Sequence, residues 1–150
     1  MELDGSATVV SLDGRSAYDT VSRSAFLGKL REVAPSLVPV VRAFYSRDSR
    51  YLWCQGEGRE QGDPLAPALH GLGQHDALVA AAARLANGDF LAALDDLYVV
   101  TSPERAREGY DVVTGSVEEH AGVAANQGKT RVFNLTGGPA PPGIAELGPN

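Results

Sequence analysis

Phe90-Leu-Ala-Ala-Leu-Asp-Asp-Leu-Tyr-Val-Val100 sets two aspartates, Asp95 and Asp96, inside an otherwise oily stretch. Apolar runs with β-branched and aromatic members read as strands buried on at least one face. The stretch predicts two strands, over 90–94 and 97–100, with the aspartates between them. Adjacent carboxylates in such a setting repel each other and lose hydration, so they either take up protons or recruit a cation. The plain alternative is a solvated hairpin tip, because Asp is a common turn residue. A third carboxylate on a neighbouring strand would favour the cation.

Upstream, Ala-Thr-Val-Val-Ser-Leu-Asp over 7–13 reads as a short strand that closes on Asp13, followed by a Gly14-Arg15-Ser16 turn. Ser22 or Ser24 can cap a helix whose apolar residues Phe26, Leu27, Leu30 and Val33 share one face. Pro35 separates it from a second helix with Leu37, Val40, Val41, Phe44 and Tyr45 on a helical period. Residues 51–54, Tyr-Leu-Trp-Cys, read as a strand, and 55–63, rich in glycine and charge, as a loop. Pro64 can open a helix, 77–86 is strongly helical in composition, and Asn87-Gly88 stops it.

Downstream, Ser102-Pro103-Glu104 carries a cap, a first-turn proline and an acid at the positive end of a helix. Its buried stripe is Ala106, Tyr110, Val113 and Val117, and Gly122 ends it. Val132-Phe133 suggests a last strand, and the Gly/Pro-rich tail 136–150 is expected to be disordered. The order is β-α-α-β-α-β-β-α-β. Strands interleaved with helices that pack on one face of an antiparallel sheet imply an α+β fold.

The chain has 150 residues, enough for one domain of ordinary size. Its single cysteine, Cys54, excludes an internal disulfide framework and fits a reducing, intracellular compartment. No basic leader with an apolar run follows Met1, and no stretch is long and apolar enough for a bilayer span. A net charge of -6 argues against a protein that coats nucleic acid with a basic surface. It leaves open an enzyme that grips nucleic acid through metal ions and local basic residues.

Asp13 is the third carboxylate. A sheet can set strand 1 beside the 90–100 hairpin, since paired strands lie about 5 Å apart. Asp13, Asp95 and Asp96 would then converge on one edge. Clustered carboxylates suit hard divalent cations, above all Mg²⁺, which shares its waters with substrate phosphates. Paired ions can stabilise both the attacking and the leaving oxygen of a phosphoryl displacement.

Four blocks now resemble a known family. Asp13-Gly-Arg-Ser-Ala-Tyr18-Asp19 resembles the first block of reverse transcriptases, an Asp followed at a fixed distance by an aromatic. Glu60-Gln61-Gly62-Asp63-Pro64-Leu65-Ala66-Pro67 resembles their Gln-Gly-x-x-Leu-x-Pro block. Ala93-Leu94-Asp95-Asp96 stands where they carry an aromatic-x-Asp-Asp hairpin, with Ala93 in place of the aromatic. Asn126-Gln-Gly-Lys129-Thr130 resembles a later Asn-x-x-Lys block. The style is closest to retroelements without long terminal repeats and to group II intron enzymes.

The resemblance implies a palm domain over 1–135 that acts as an RNA-directed DNA polymerase, with an RNA template, a DNA primer and deoxynucleoside triphosphates as partners and no membrane. By the same resemblance, Asp13, Asp95 and Asp96 would hold two Mg²⁺ ions, with Mn²⁺ as a substitute. Tyr18 would exclude a ribose 2′-hydroxyl. Gln61 and Gly62 would lie along the incoming nucleotide, and Lys129 would approach the triphosphate and protonate the leaving pyrophosphate. Only 12 residues precede Asp13, so fingers and thumb are expected to be largely missing, as in a retrotransposon fragment or remnant. The other readings are an inactive palm kept as a nucleic-acid or protein interaction module and an unrelated acidic metal-binding domain.

Gly128-Lys129-Thr130 is not a phosphate loop, because that loop needs glycine at 123, where Val123 stands. His70, His75 and His120 are scattered and lack ligand spacing.

Overall fold

A computed structural model describes residues 7–45, 58, 63–85, 89–93, 96–144 and 147. The elements are β1 (Thr8–Leu12), α1 (Ala17–Thr20), α2 (Arg23–Val33), α3 (Val38–Tyr45), α4 (Ala66–Arg84), β2 (Phe90–Ala93), β3 (Leu97–Thr101), α5 (Ala106–Ala121) and β4 (Arg131–Asn134). The strands form one antiparallel sheet in the order β2-β3-β1-β4. The fold is α+β, as the order of apolar runs implied. The strand expected over 51–54, with Trp53 and Cys54, lies outside the described residues.

Alternation decides which face of the sheet is covered. Thr8, Val10 and Leu12 of β1 pair with Thr101, Val99 and Leu97 of β3, and most of these side chains are buried. Successive strand residues point to opposite faces, so Ser11, Tyr98 and Arg131 share the other side. α5 packs on β1 and β3, and α4 packs in turn on α5 and α2. The core runs from Val10 and Val99 through Val113 and Tyr110 to Phe26 and Ala77.

The helix signals act as expected in most places. Ser22 caps α2 by accepting the Ala25 amide at 3.3 Å. Ala106, Tyr110, Val113 and Val117 are all buried, and α5 ends at Gly122 with φ 71. The 102–104 signal opens a 3₁₀ turn, Pro103–Arg105, that runs straight into α5. α1 was not expected, and it occupies the end of the segment after Asp13.

Periodicity misassigns the outer side of α2 and α3. Phe26, Leu30, Val41 and Tyr45 are buried, but Val33, Leu37, Val40 and Phe44 are exposed, Phe44 at 75%. α3 is apolar almost all round, so its 3.6-residue period alone cannot say which side meets the core.

The tail also departs from expectation. The described residues after 135 form turns, and Ile144 and Leu147 are buried in the core. Arg107 of α5 holds this segment by donating from Nη1 to the Gly143 carbonyl at 2.7 Å. Two apolar side chains spaced for one turn outweigh the local glycine and proline content.

One core group is imperfectly served. The Tyr110 hydroxyl is buried and has no hydrogen-bond partner among the described residues. Tyr110→Phe is therefore expected to raise stability by about 1 kcal/mol, read as a higher urea midpoint at unchanged slope. A lower midpoint would mean that the hydroxyl is bonded in solution.

Candidate active site

The ladder between β1 and β3 builds the site. The β1–β3 ladder ends with Leu12 opposite Leu97; Asp13 follows Leu12 and Asp96 precedes Leu97 in the chain. Asp13 and Asp96 both line one cleft of about 380 Å³, together with Ser16, Tyr18, His70 and Lys129. Four of the residues singled out by sequence, Asp13, Tyr18, Asp96 and Lys129, thus meet in space. Asp95, Gln61 and Gly62 lie outside the described residues.

Asp13 is held by the segment that follows α5. The Arg15 amide donates to the Ala124 carbonyl at 2.8 Å, the Asn126 amide donates to the Asp13 carbonyl at 2.8 Å, and Gly14 bridges Ala125. This zipper delivers two side chains to the carboxylate. Asn126 Nδ2 donates to Asp13 Oδ2 at 3.1 Å, and Lys129 Nζ stands 3.6 Å from the same oxygen. Gly14 permits the close approach, since a Cβ there would sit 2.7 Å from Val123 Cγ1. The Asn126 contact was not foreseen, although its motif was.

Lys129 is largely exposed, so its ion pair with Asp13 is worth little by itself and breaks easily. The ammonium can therefore swing from Asp13 to an incoming anion. Asp96 is exposed at the hairpin tip and accepts a hydrogen bond from the Tyr98 hydroxyl at 3.3 Å. Ser16, at the cleft rim, adopts φ 47 and ψ 44, a left-handed conformation that costs a non-glycine residue about 1 kcal/mol.

The cleft's aromatic wall is Tyr18 stacked on His70. Sequence reading dismissed His70 for want of ligand spacing, and no local signal could have linked it to Tyr18. The entry to α4 is fixed by a second network. Gly58 accepts at its carbonyl from Arg23 Nε at 3.1 Å and donates to Val21 at 3.0 Å. Arg23 also donates to the Tyr45 carbonyl at 3.4 Å, and the Tyr45 hydroxyl bonds Asp63. Gly58 and Asp63 thus anchor the chain on both sides of Gln61 and Gly62. Gly58 needs its lack of a side chain: φ is 74, and a Cβ would lie 2.3 Å from the Asp19 backbone.

The donor set bears on the cation. Asp13 and Asp96 offer hard carboxylate oxygens on a cleft open to water, which fits Mg²⁺ or Mn²⁺. Among the described residues, no group of three His, Cys, Asp or Glu side chains is close enough to hold a metal ion. Two carboxylates are present, and Asp95, the third expected ligand, is outside the description.

Comparison with known proteins follows the same line. The chain is 29% identical over 142 residues to the retrotransposable element SLACS 132 kDa protein of Trypanosoma brucei gambiense, a match covering 87% of this chain and 12% of that protein. Its fold matches apo telomerase from Candida tropicalis truncated from its C-terminal domain, with a TM-score of 0.59 at 14% identity over 88% of this chain and 31% of that one. It also matches telomerase from Candida albicans solved with a fragment of telomeric RNA, with a TM-score of 0.60 at 16% identity over 89% and 27%. The fold is palm-like. The sequence similarity is thus to a retrotransposable-element protein and the structural similarity to the fold of telomerases. No protein-family profile matches the chain. The palm-like unit spans 12% of the length of the retrotransposable-element protein. Among the described residues, no helix is long and apolar enough to cross a membrane.

Proposed function

We propose that this chain is the palm of an RNA-directed DNA polymerase of retrotransposon type, joining a deoxynucleotide to a primer 3′-hydroxyl opposite an RNA template. The observation that supports this reading is the meeting of Asp13, Tyr18, Asp96 and Lys129, from three separate sequence blocks, around one cleft. Chance would scatter them over a surface of 9017 Å².

Each side chain has a task in that reaction. Asp13 and Asp96, with Asp95 by resemblance, would hold Mg²⁺, which would supply positive charge against the transferring phosphoryl group. Asn126 fixes the Asp13 carboxylate, so the ligand is oriented before the cation arrives. Tyr18 crowds the sugar position and rejects a 2′-hydroxyl. Lys129 leaves Asp13, follows the triphosphate and gives a proton to the departing pyrophosphate. The chain contributes positioning and preorganised charge.

Equilibrium binding tests this. Wild-type protein is expected to bind a deoxynucleoside triphosphate in the presence of Mn²⁺. Asp13→Asn, nearly isosteric, should weaken that binding at least about tenfold while leaving the melting temperature within a few degrees. Primer extension on an RNA template should follow the same order, with weak or no synthesis by the chain alone. If the wild type binds neither Mn²⁺ nor nucleotide, the polymerase reading fails and the palm is a non-catalytic interaction module.

A further inference from the structure

His70 is 6% exposed and forms part of the cleft wall. Its ring stacks on Tyr18 with centroids 5.0 Å apart and planes at 11°. Gln74, one helical turn along α4 and 6% exposed, sets its Nε2 2.9 Å from His70 Nε2. The two side chains are therefore within hydrogen-bond distance of each other.

The two aromatic partners differ in support. His70 and Gln74 project from a 19-residue helix packed on α2 and α5. Tyr18 stands on a four-residue helix that has no buried residue of its own. An isolated turn of helix is not self-supporting, because its nucleation is unfavourable. The His70 ring on α4 gives Tyr18 a stacking surface that the short helix does not itself supply. A buried polar pair is also a costly way to fill space that an apolar ring would fill as well. The directed bond between Gln74 and His70 fixes the imidazole about its ring axis, which an apolar filler cannot do.

We infer that His70 is a positioning residue: clamped by Gln74, it locks the plane of Tyr18 and so sets how strictly the cleft separates deoxyribonucleoside from ribonucleoside triphosphates. This rests on reading the cleft as a nucleotide site. It differs from the roles given to Tyr18 and the carboxylates in that His70 acts through the Tyr18 ring.

The test compares wild type, His70→Ala, His70→Phe and Tyr18→Ala with two readouts. The first is the NMR shift of the Tyr18 ring protons, which feel the ring current of the stacked imidazole. His70→Ala should move them toward unstacked values, and His70→Phe should keep them shifted. Unchanged Tyr18 resonances in His70→Ala overturn the positioning role. The second is the ratio of dissociation constants for a ribo- and the matching deoxynucleoside triphosphate in Mn²⁺. An aromatic pair of this kind is worth up to about tenfold in an equilibrium constant, so His70→Ala should narrow the ratio by that order. His70→Phe, which keeps a ring against Tyr18 but loses the Gln74 bond, should restore only part of it. A His70→Ala protein with the wild-type ratio and merely a lower melting temperature overturns the inference.

Gln74→Met keeps the volume and removes the hydrogen-bond partner. It carries the same prediction at smaller size and serves if His70→Ala does not fold. If Tyr18→Ala keeps the wild-type ratio, or the wild type binds no nucleotide, the nucleotide reading of the cleft falls instead. The ring shifts then decide the role of His70 alone.

Discussion

Phe26→Ala is expected to lower the unfolding free energy by about 4 kcal/mol. Phe26 is 0% exposed and meets Tyr45 edge to face, with centroids 5.6 Å apart and planes at 81°. Among the described residues it is the largest fully buried side chain, and it sits where α2 crosses α4. At that crossing Gly73 brings the helices close, and a Cβ there would lie 2.7 Å from Val21 Cγ2 and 3.5 Å from Phe26 Cβ. Backbones held this near cannot close further to fill the cavity, so the loss should fall toward the upper part of the range for aromatic deletions. Urea denaturation measures it, as a lower midpoint at unchanged slope. Domains are stable by about 5–15 kcal/mol, so the variant should stand close to unfolding at 37 °C. A loss under 1 kcal/mol would show that the helices do repack, and that the crossing is less rigid than described.

Arg105→Ala should cost about 3 kcal/mol, for an electrostatic reason. Asp89 precedes β2, and its side chain is 4% exposed. Its Oδ1 accepts from the Thr101 hydroxyl at 2.7 Å and from Arg105 Nη1 at 3.4 Å. Its Oδ2 lies 2.8 Å from Arg105 Nη2, close in distance but without the alignment of a hydrogen bond. Arginine is thus the charge that makes burial of this carboxylate tolerable. Removing it leaves an uncompensated anion, which costs more than the pair is worth. Arg105 keeps 28% of its side chain in water, which sets the estimate at the lower end for a broken buried pair. The double variant Asp89→Ala, Arg105→Ala should be more stable than Arg105→Ala alone. Equal stability of the two would mean that Asp89 finds water when its partner is lost.

Much of the architecture was readable locally. β1, β2 and β3 matched apolar runs to within a residue or so at each end, β4 was marked by Val132-Phe133 alone, and α5 was marked by its cap, proline, apolar stripe and closing glycine. Those signals are local because caps, turns and one-sided burial are settled within a few residues. The buried sides of α2 and α3 were read in part. Phe26, Leu30, Val41 and Tyr45 turn inward, but Val33, Leu37, Val40 and Phe44 do not. Apolar content on two sides of a helix leaves the choice of face to its neighbours. The tail was misread for the opposite reason. Its glycines and prolines oppose regular structure, yet Ile144 and Leu147 find core contacts that composition does not reveal.

The site divides in the same way. Asp13 and Asp96 stood out as acids at strand ends, and Lys129 and Tyr18 entered with the motifs that carried them. That Asp13 and Asp96 line one cleft depends on the β1–β3 register that ends at Leu12 and Leu97, in which a slip of one residue would turn one strand's side chains to the other face. The grip of Asn126 on Asp13 needs the segment after α5 to zip onto Gly14. His70 reaches Tyr18 only because α4 packs where it does.

From its sequence alone, then, this protein's α+β class, most of its described elements and its candidate acids were legible, because periodicity, caps and turn chemistry act over a few residues. Register, the inward faces of the helices, the docking of the tail and the stack in the cleft wall were decided by tertiary packing. Those features depend on which surfaces, distant along the chain, exclude water from one another, and no local pattern encodes that choice.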